Sequence, residues 1–112
     1  MLTSLEGLIA AHEGDFARAE ALADKACAAD GKSLTHTHHT WHCAADVYAI
    51  CGKPEKAVAE VSRCLTMGLP NYRLFMTDPN LKSLHHDPAF TAVMTAMRRE
   101  YDRVATVVAP AF

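Results

Sequence analysis

No apolar run in the sequence approaches the roughly 18 residues of a membrane-crossing helix, so a membrane span is not expected. An excess of one charge is missing as well. Eleven Lys and Arg face 13 Asp and Glu, a formal net charge of −2 with seven neutral histidines. That balance builds no basic field, which removes nucleic acid and anionic membranes from the expected partners. Glu6 precedes every basic residue, unlike a secretory signal, and a cytoplasmic location is expected. The four cysteines, Cys27, Cys43, Cys51 and Cys64, form no Cys-x-x-Cys pair. Without an export signal they read as small thiols filling helix contacts rather than a disulfide framework. Catalytic motifs are also lacking: no nucleophile elbow, no glycine-rich phosphate loop and no HExxH pattern. A thiol pair of Cys43 with His39 lies on one helical turn, which supplies no oxyanion hole. The expectation is therefore no enzyme and no cofactor.

Alternating β-branched and polar residues are nearly absent too, while alanine is abundant and apolar residues recur at spacings of three and four. The fold class expected is all-α. With 112 residues, half of them apolar and 21% charged, the chain fits one domain over 1–112. Gly14-Asp15, Asp30-Gly31, Gly52 with Pro54, Gly68-Leu69-Pro70, Asp78-Pro79 and Asp87-Pro88 punctuate it. They predict four substantial helices before Gly68 and one long helix after Asp87. In that last helix Phe90, Val93, Met94, Met97, Tyr101, Val104 and Val108 follow helical spacing, while Arg98, Arg99, Asp102 and Arg103 mostly fall on other sides and read as a solvated face.

Gly14-Asp15-Phe16-Ala17-Arg18-Ala19 aligns with Gly52-Lys53-Pro54-Glu55-Lys56-Ala57, an internal repeat offset by 38 residues. The second copy carries Trp41-x2-Ala44-Ala45-x2-Tyr48, then Gly52, Ala57-x3-Val61 and Pro70. This pattern resembles the tetratricopeptide (TPR) signature. The sequence departs from it with Ala44 for the usual leucine, Ala45 for the glycine, Val61 for the large residue of the second helix, and a proline one residue late. The first copy keeps Gly7, Gly14, Asp15, Phe16, Ala19 and Ala26 but has Thr3 and Ala10 where the aromatics would stand. The offset exceeds the TPR period of about 34 residues, and the extra residues are assigned to Lys32 to Thr37, with Ser33 or Thr35 capping the third helix. Further on, Gly68-Leu69-Pro70-Asn71-Tyr72, Phe75, Asp78-Pro79-x-Leu81-x2-Leu84 and Asp87-Pro88-x-Phe90 resemble the C-terminal end of TPR regions attached to bacterial signalling proteins. The resemblance implies two TPR-like antiparallel helical hairpins, repeat 1 over about 1–33 and repeat 2 over about 34–70, closed by a C-terminal cap over about 71–112. It also implies a scaffold or interaction region that binds a protein or peptide.

The least ordinary segment is Thr35-His36-Thr37-His38-His39-Thr40-Trp41-His42-Cys43. At about 100° per residue, Leu34, Trp41, Ala44, Ala45 and Tyr48 share one helix face and His39, His42, Cys43 and Asp46 the opposite one. By resemblance, that opposite face lines the concave groove in which TPR proteins dock peptides. The expected groove residues are Leu8, Ala11, His39, His42 and Asp46. The lysine and asparagine clamp of some TPR modules is missing, with Ser4, Leu8, His42 and Asp46 at its positions. A second reading, a zinc or nickel site, draws on His39 with Cys43 and His42 with Asp46, each pair one turn apart. Further ligands would come from His12, His85, His86 or a second chain; the bland reading of these three histidines is surface cations at helix ends. Finally, Leu2, Leu5 and Ile9 fall on a different side of the first helix from Thr3, Gly7, Ala10 and Ala11. That apolar side is expected to be covered by a second copy, giving a homodimer, or by upstream sequence of a larger parent.

Overall fold

Small residues decide how the chain packs, because alanine and glycine let helix backbones approach closely. The computed structural model describes residues 2–29, 37–67 and 71–108. Ser33, Thr35, Leu34, His36 and Pro70, to which the sequence assigns roles, lie outside the described residues. Within them the chain is helical and without strands: α1 (Leu2–His12), α2 (Phe16–Ala29), α3 (Thr37–Ile50), α4 (Pro54–Thr66), α5 (Tyr72–Thr77), the 3-10 helix η1 (Pro79–Leu84) and α6 (Pro88–Val108). No described helix is long and apolar enough to cross a membrane.

α1 packs on α2, α3 on α4, and α3 also lies against both α1 and α2. Both short connections use the same device. Gly14 and Gly52 take positive φ, +86° and +73°, a conformation that costs a glycine little and terminates a helix. At the first turn the amides of Gly14 and Asp15 donate to the carbonyls of Ala11 and Ala10, at 3.1 and 2.9 Å. At the second, those of Gly52 and Lys53 donate to Ala49 and Tyr48, at 3.2 and 2.8 Å. Two further bonds, Glu13 to Ile9 and Ala19 to Asp15, also recur 38 residues on as Cys51 to Val47 and Ala57 to Lys53. The repetition found in the sequence is thus repeated in the backbone.

Burial follows the same offset. Ala10, Ala11, Ala19, Ala23 and Ala26 are buried, as are Tyr48, Ala49, Ala57, Val61 and Cys64 at the equivalent positions. Trp41, Ala44, Ala45 and Tyr48, assigned by periodicity to one face of α3, are all buried.

The C-terminal third is built on two Asp-Pro starts. Asp78 accepts a hydrogen bond from the Asn80 amide at 2.9 Å, and Asp87 accepts from the amides of Ala89 and Phe90 at 2.8 and 3.2 Å. Each aspartate satisfies amides that a helix start leaves open, with proline in the first helical position. η1 lies against α3, and α6 packs on α4 and α5. Phe75, Leu81, Leu84, Phe90, Met94 and Met97 are buried here. From Tyr101 to Val107 every side chain of α6 is exposed, and Arg98, Arg99 and Arg103 face water.

Candidate functional site

α3 carries polar side chains on the side away from Trp41, and the rest of the chain treats them differently. His39 is exposed, its ring beside that of His38 with centroids 4.0 Å apart. Cys43 turns towards α1, where its Sγ donates to the Ser4 carbonyl at 3.2 Å. His42 and Asp46 instead face the C-terminal segment. His42 packs its ring on Phe75, centroids 4.6 Å apart, and its Nε2 lies 2.7 Å from Asp78 Oδ2. The same nitrogen is 3.7 Å from Asp46 Oδ1. Among the described residues, His42, Asp46 and Asp78 are the group whose nitrogen and oxygen ligand atoms all come within 4.8 Å of one another. Of the four residues read as metal ligands, the structure brings His42 and Asp46 together and leaves His39 and Cys43 outside that group.

The two carboxyls of this trio are shifted in opposite directions. Burial, followed by the hydrogen bond and negative charge of Asp78, pushes Asp46 up to about 9. Burial would raise Asp78 as well, but hydrogen bonds from Asp46, the Asn80 amide and His42 outweigh it and hold that carboxyl below its ordinary range. Asp46 Oδ1 is buried and has no hydrogen-bond partner.

The residues expected to line a groove are dispersed in burial. Ala11 and Asp46 are buried, Leu8 and His42 half-buried, and His39 exposed. What covers His42 is the chain itself: α5 supplies Phe75, and Asp78 leads into η1, which lies on α3. Beside them a small cavity of about 70 Å³ is lined by His38, His39, His42, Asn71, Leu74 and Phe75, among others. Of the remaining histidines, His12, His85 and His86 are exposed, and His85 stacks on Phe90 with centroids 5.8 Å apart.

A second polar cluster joins the two helix pairs. Tyr48 donates to Asp24 Oδ1 at 2.5 Å, Lys56 Nζ reaches the same oxygen at 3.2 Å, and Lys56 also approaches Glu20 at 3.4 Å. These contacts tie α2 to α3 and α4. All four thiols are pushed above their ordinary value, with burial the leading cause, Cys27 and Cys64 to about 12.

Asp78 was not among the candidate ligands, because the Asp-Pro motif signals a capping carboxylate and says nothing about its second oxygen. His42 lies 36 residues away, and no periodic pattern links the two positions. No family model, curated protein or solved structure matches the chain.

Proposed function

We propose that the chain is a non-catalytic, protein-binding helical module built of two TPR-like repeats and a C-terminal cap, with the outer face of α1 as its docking surface. One observation carries the reading, a mismatch between two equivalent faces. Thr40, Cys43 and Val47 of α3 stand 38 positions after Leu2, Leu5 and Ile9 of α1. On α3 this face is covered, with Thr40 and Val47 both at 0% exposure and the Cys43 thiol bonded to α1. On α1 it is open, with Leu2, Leu5 and Ile9 at 71%, 43% and 59%. A contiguous exposed apolar row of this kind commonly marks an association surface. A helix pair laid on α1 as the first pair lies on α3 would bury it, and a second copy of this chain carries such pairs.

The repeated turn bonds support the two-repeat reading, since duplicated helix pairs stack by burying one another's faces. The raised thiols argue against a thiolate nucleophile, because burial favours the protonated thiol, which is the poorer nucleophile. The test is sedimentation velocity on the full chain at high micromolar concentration. The unmodified chain should self-associate, and Leu5→Glu should shift it towards monomer, because a charge would enter an apolar contact. A monomeric wild-type chain overturns the assignment of a second copy to this face.

A further inference from the structure

The contact between α3 and the start of η1 is polar at a place where packing alone would favour apolar side chains. Three residues from two distant segments converge there, His42 and Asp46 one turn apart on α3 and Asp78 at the cap of η1. Asp46 is only 7% exposed, and its Oδ1 has no hydrogen-bond partner while lying 3.7 Å from His42 Nε2. A buried oxygen left without a partner costs free energy unless something completes it. We propose that His42, Asp46 and Asp78 form a three-ligand site for a divalent cation of the zinc class.

The donor set is one imidazole nitrogen and two carboxylate oxygens, Asp46 releasing its proton to solvent as the ion binds, which suits zinc and neighbouring divalent transition ions and lacks the thiolates that soft ions prefer. Ligand bonds of about 2.0 to 2.2 Å place the donors of a tetrahedral ion about 3.4 Å apart. The observed separations of His42 Nε2 from Asp78 Oδ2 and Asp46 Oδ1, 2.7 and 3.7 Å, bracket that value. All three ligand atoms lie within 4.8 Å of one another, so side-chain movements without a backbone shift suffice. Two of the three ligands are also steadied from behind: the Phe75 ring backs His42, and the Asn80 amide holds the other oxygen of Asp78. Such supports orient ligands in metal sites generally. Three protein ligands leave a fourth position for water, and the His42 side chain, 20% exposed, opens that position to solvent. Cys43 takes no part, its thiol being engaged with α1, and neither does the exposed His39. The bound ion would fasten the segment from α5 to η1 onto α3, at a place separate from the apolar face of α1.

The probe is Zn²⁺ alone, titrated calorimetrically into the tag-free full chain, with circular dichroism and melting recorded for every variant. One Zn²⁺ per chain is expected. Asp46→Asn keeps the size and a hydrogen-bond donor towards Asp78 but cannot lose a proton to become a carboxylate ligand, and should weaken binding at least tenfold while the protein stays helical; His42→Gln should do the same. His39→Ala and Cys43→Ala should bind within twofold of wild type. Zn²⁺ should raise the melting temperature of the wild type and not that of Asp46→Asn, since only a ligand of the folded state stabilises it. The proposal is overturned if wild type takes up no zinc at 100 micromolar, or if His39→Ala or Cys43→Ala abolishes binding while Asp46→Asn retains it.

Discussion

The first helix pair and the second share one turn geometry and one buried pattern, yet they are filled with different materials. In α1 and α2 the buried residues are Ser4, Gly7, Ala10 and Ala11 against Ala19, Ala23 and Ala26. At the equivalent places in α3 and α4 stand Tyr48 for Ala10, Val61 for Ala23 and Cys64 for Ala26, with Trp41 in place of Thr3. Small residues suffice to set the backbone path, since they define how near two helices come. They remove little apolar area from water, and burial scales with that area. The first pair therefore depends on docking against α3, whereas the second carries the bulk of the core. Leu2, Leu5 and Ile9 of α1 point the other way and stay exposed.

The most severe way to break this asymmetry is Trp41→Ala. The ring is buried with Arg63 over its face, 5.8 Å from the centroid. Losing it should cost about 3 to 5 kcal/mol in a urea titration, enough to compromise the whole domain. Melting close to that of wild type would remove Trp41 from the core.

A smaller effect should follow from crowding the first pair. A Cβ at position 7 would lie 3.3 Å from the Ala19 carbonyl oxygen and 3.3 Å from Leu22 Cβ. The first of these is backbone and yields little, so Gly7→Val should destabilise by about 1 to 3 kcal/mol. Hydrogen exchange should quicken in α1 and α2 before α3 and α4, because regions with few buried contacts open first. Uniform loss of protection across all four helices would mean that the pairs are equally dependent on each other.

The mildest change tests the seam between the pairs. Tyr48→Phe removes the hydrogen bond to Asp24 but leaves the buried ring in place. Asp24 is half exposed and can turn to water, so the loss should be about 1 kcal/mol in the same titration. An unchanged midpoint would show that α2 is held to α3 by small-residue packing alone.

Helix identity was legible in the sequence because it rests on local rules. Glycine and Asp-Pro punctuation, together with apolar spacing, located α1 to α4 and α6, and the buried face of α3 was visible in the placement of Trp41, Ala44, Ala45 and Tyr48. The short α5 and η1 were less distinct, since helices of six residues carry too few turns for a period to show. Two of the three residues of the polar site were legible. The one-turn spacing of His42 and Asp46 put both on one side of α3, but the same spacing grouped them with His39 and Cys43, which the tertiary structure sends elsewhere.

The sequence by itself determined that this chain is helical, that a glycine-turn pattern recurs after 38 residues, and which side of α3 has Trp41, Ala44, Ala45 and Tyr48 to bury. Those properties depend on neighbours within a few positions, where the period of the helix and the conformational limits of glycine and proline apply. Only the tertiary structure decided which polar residues meet. Asp78 reaches His42 because η1 folds back over α3, and Cys43 turns from its helical neighbours because α1 offers it a carbonyl. Such meetings depend on how separate segments fill shared space, and one-dimensional spacing carries no record of that.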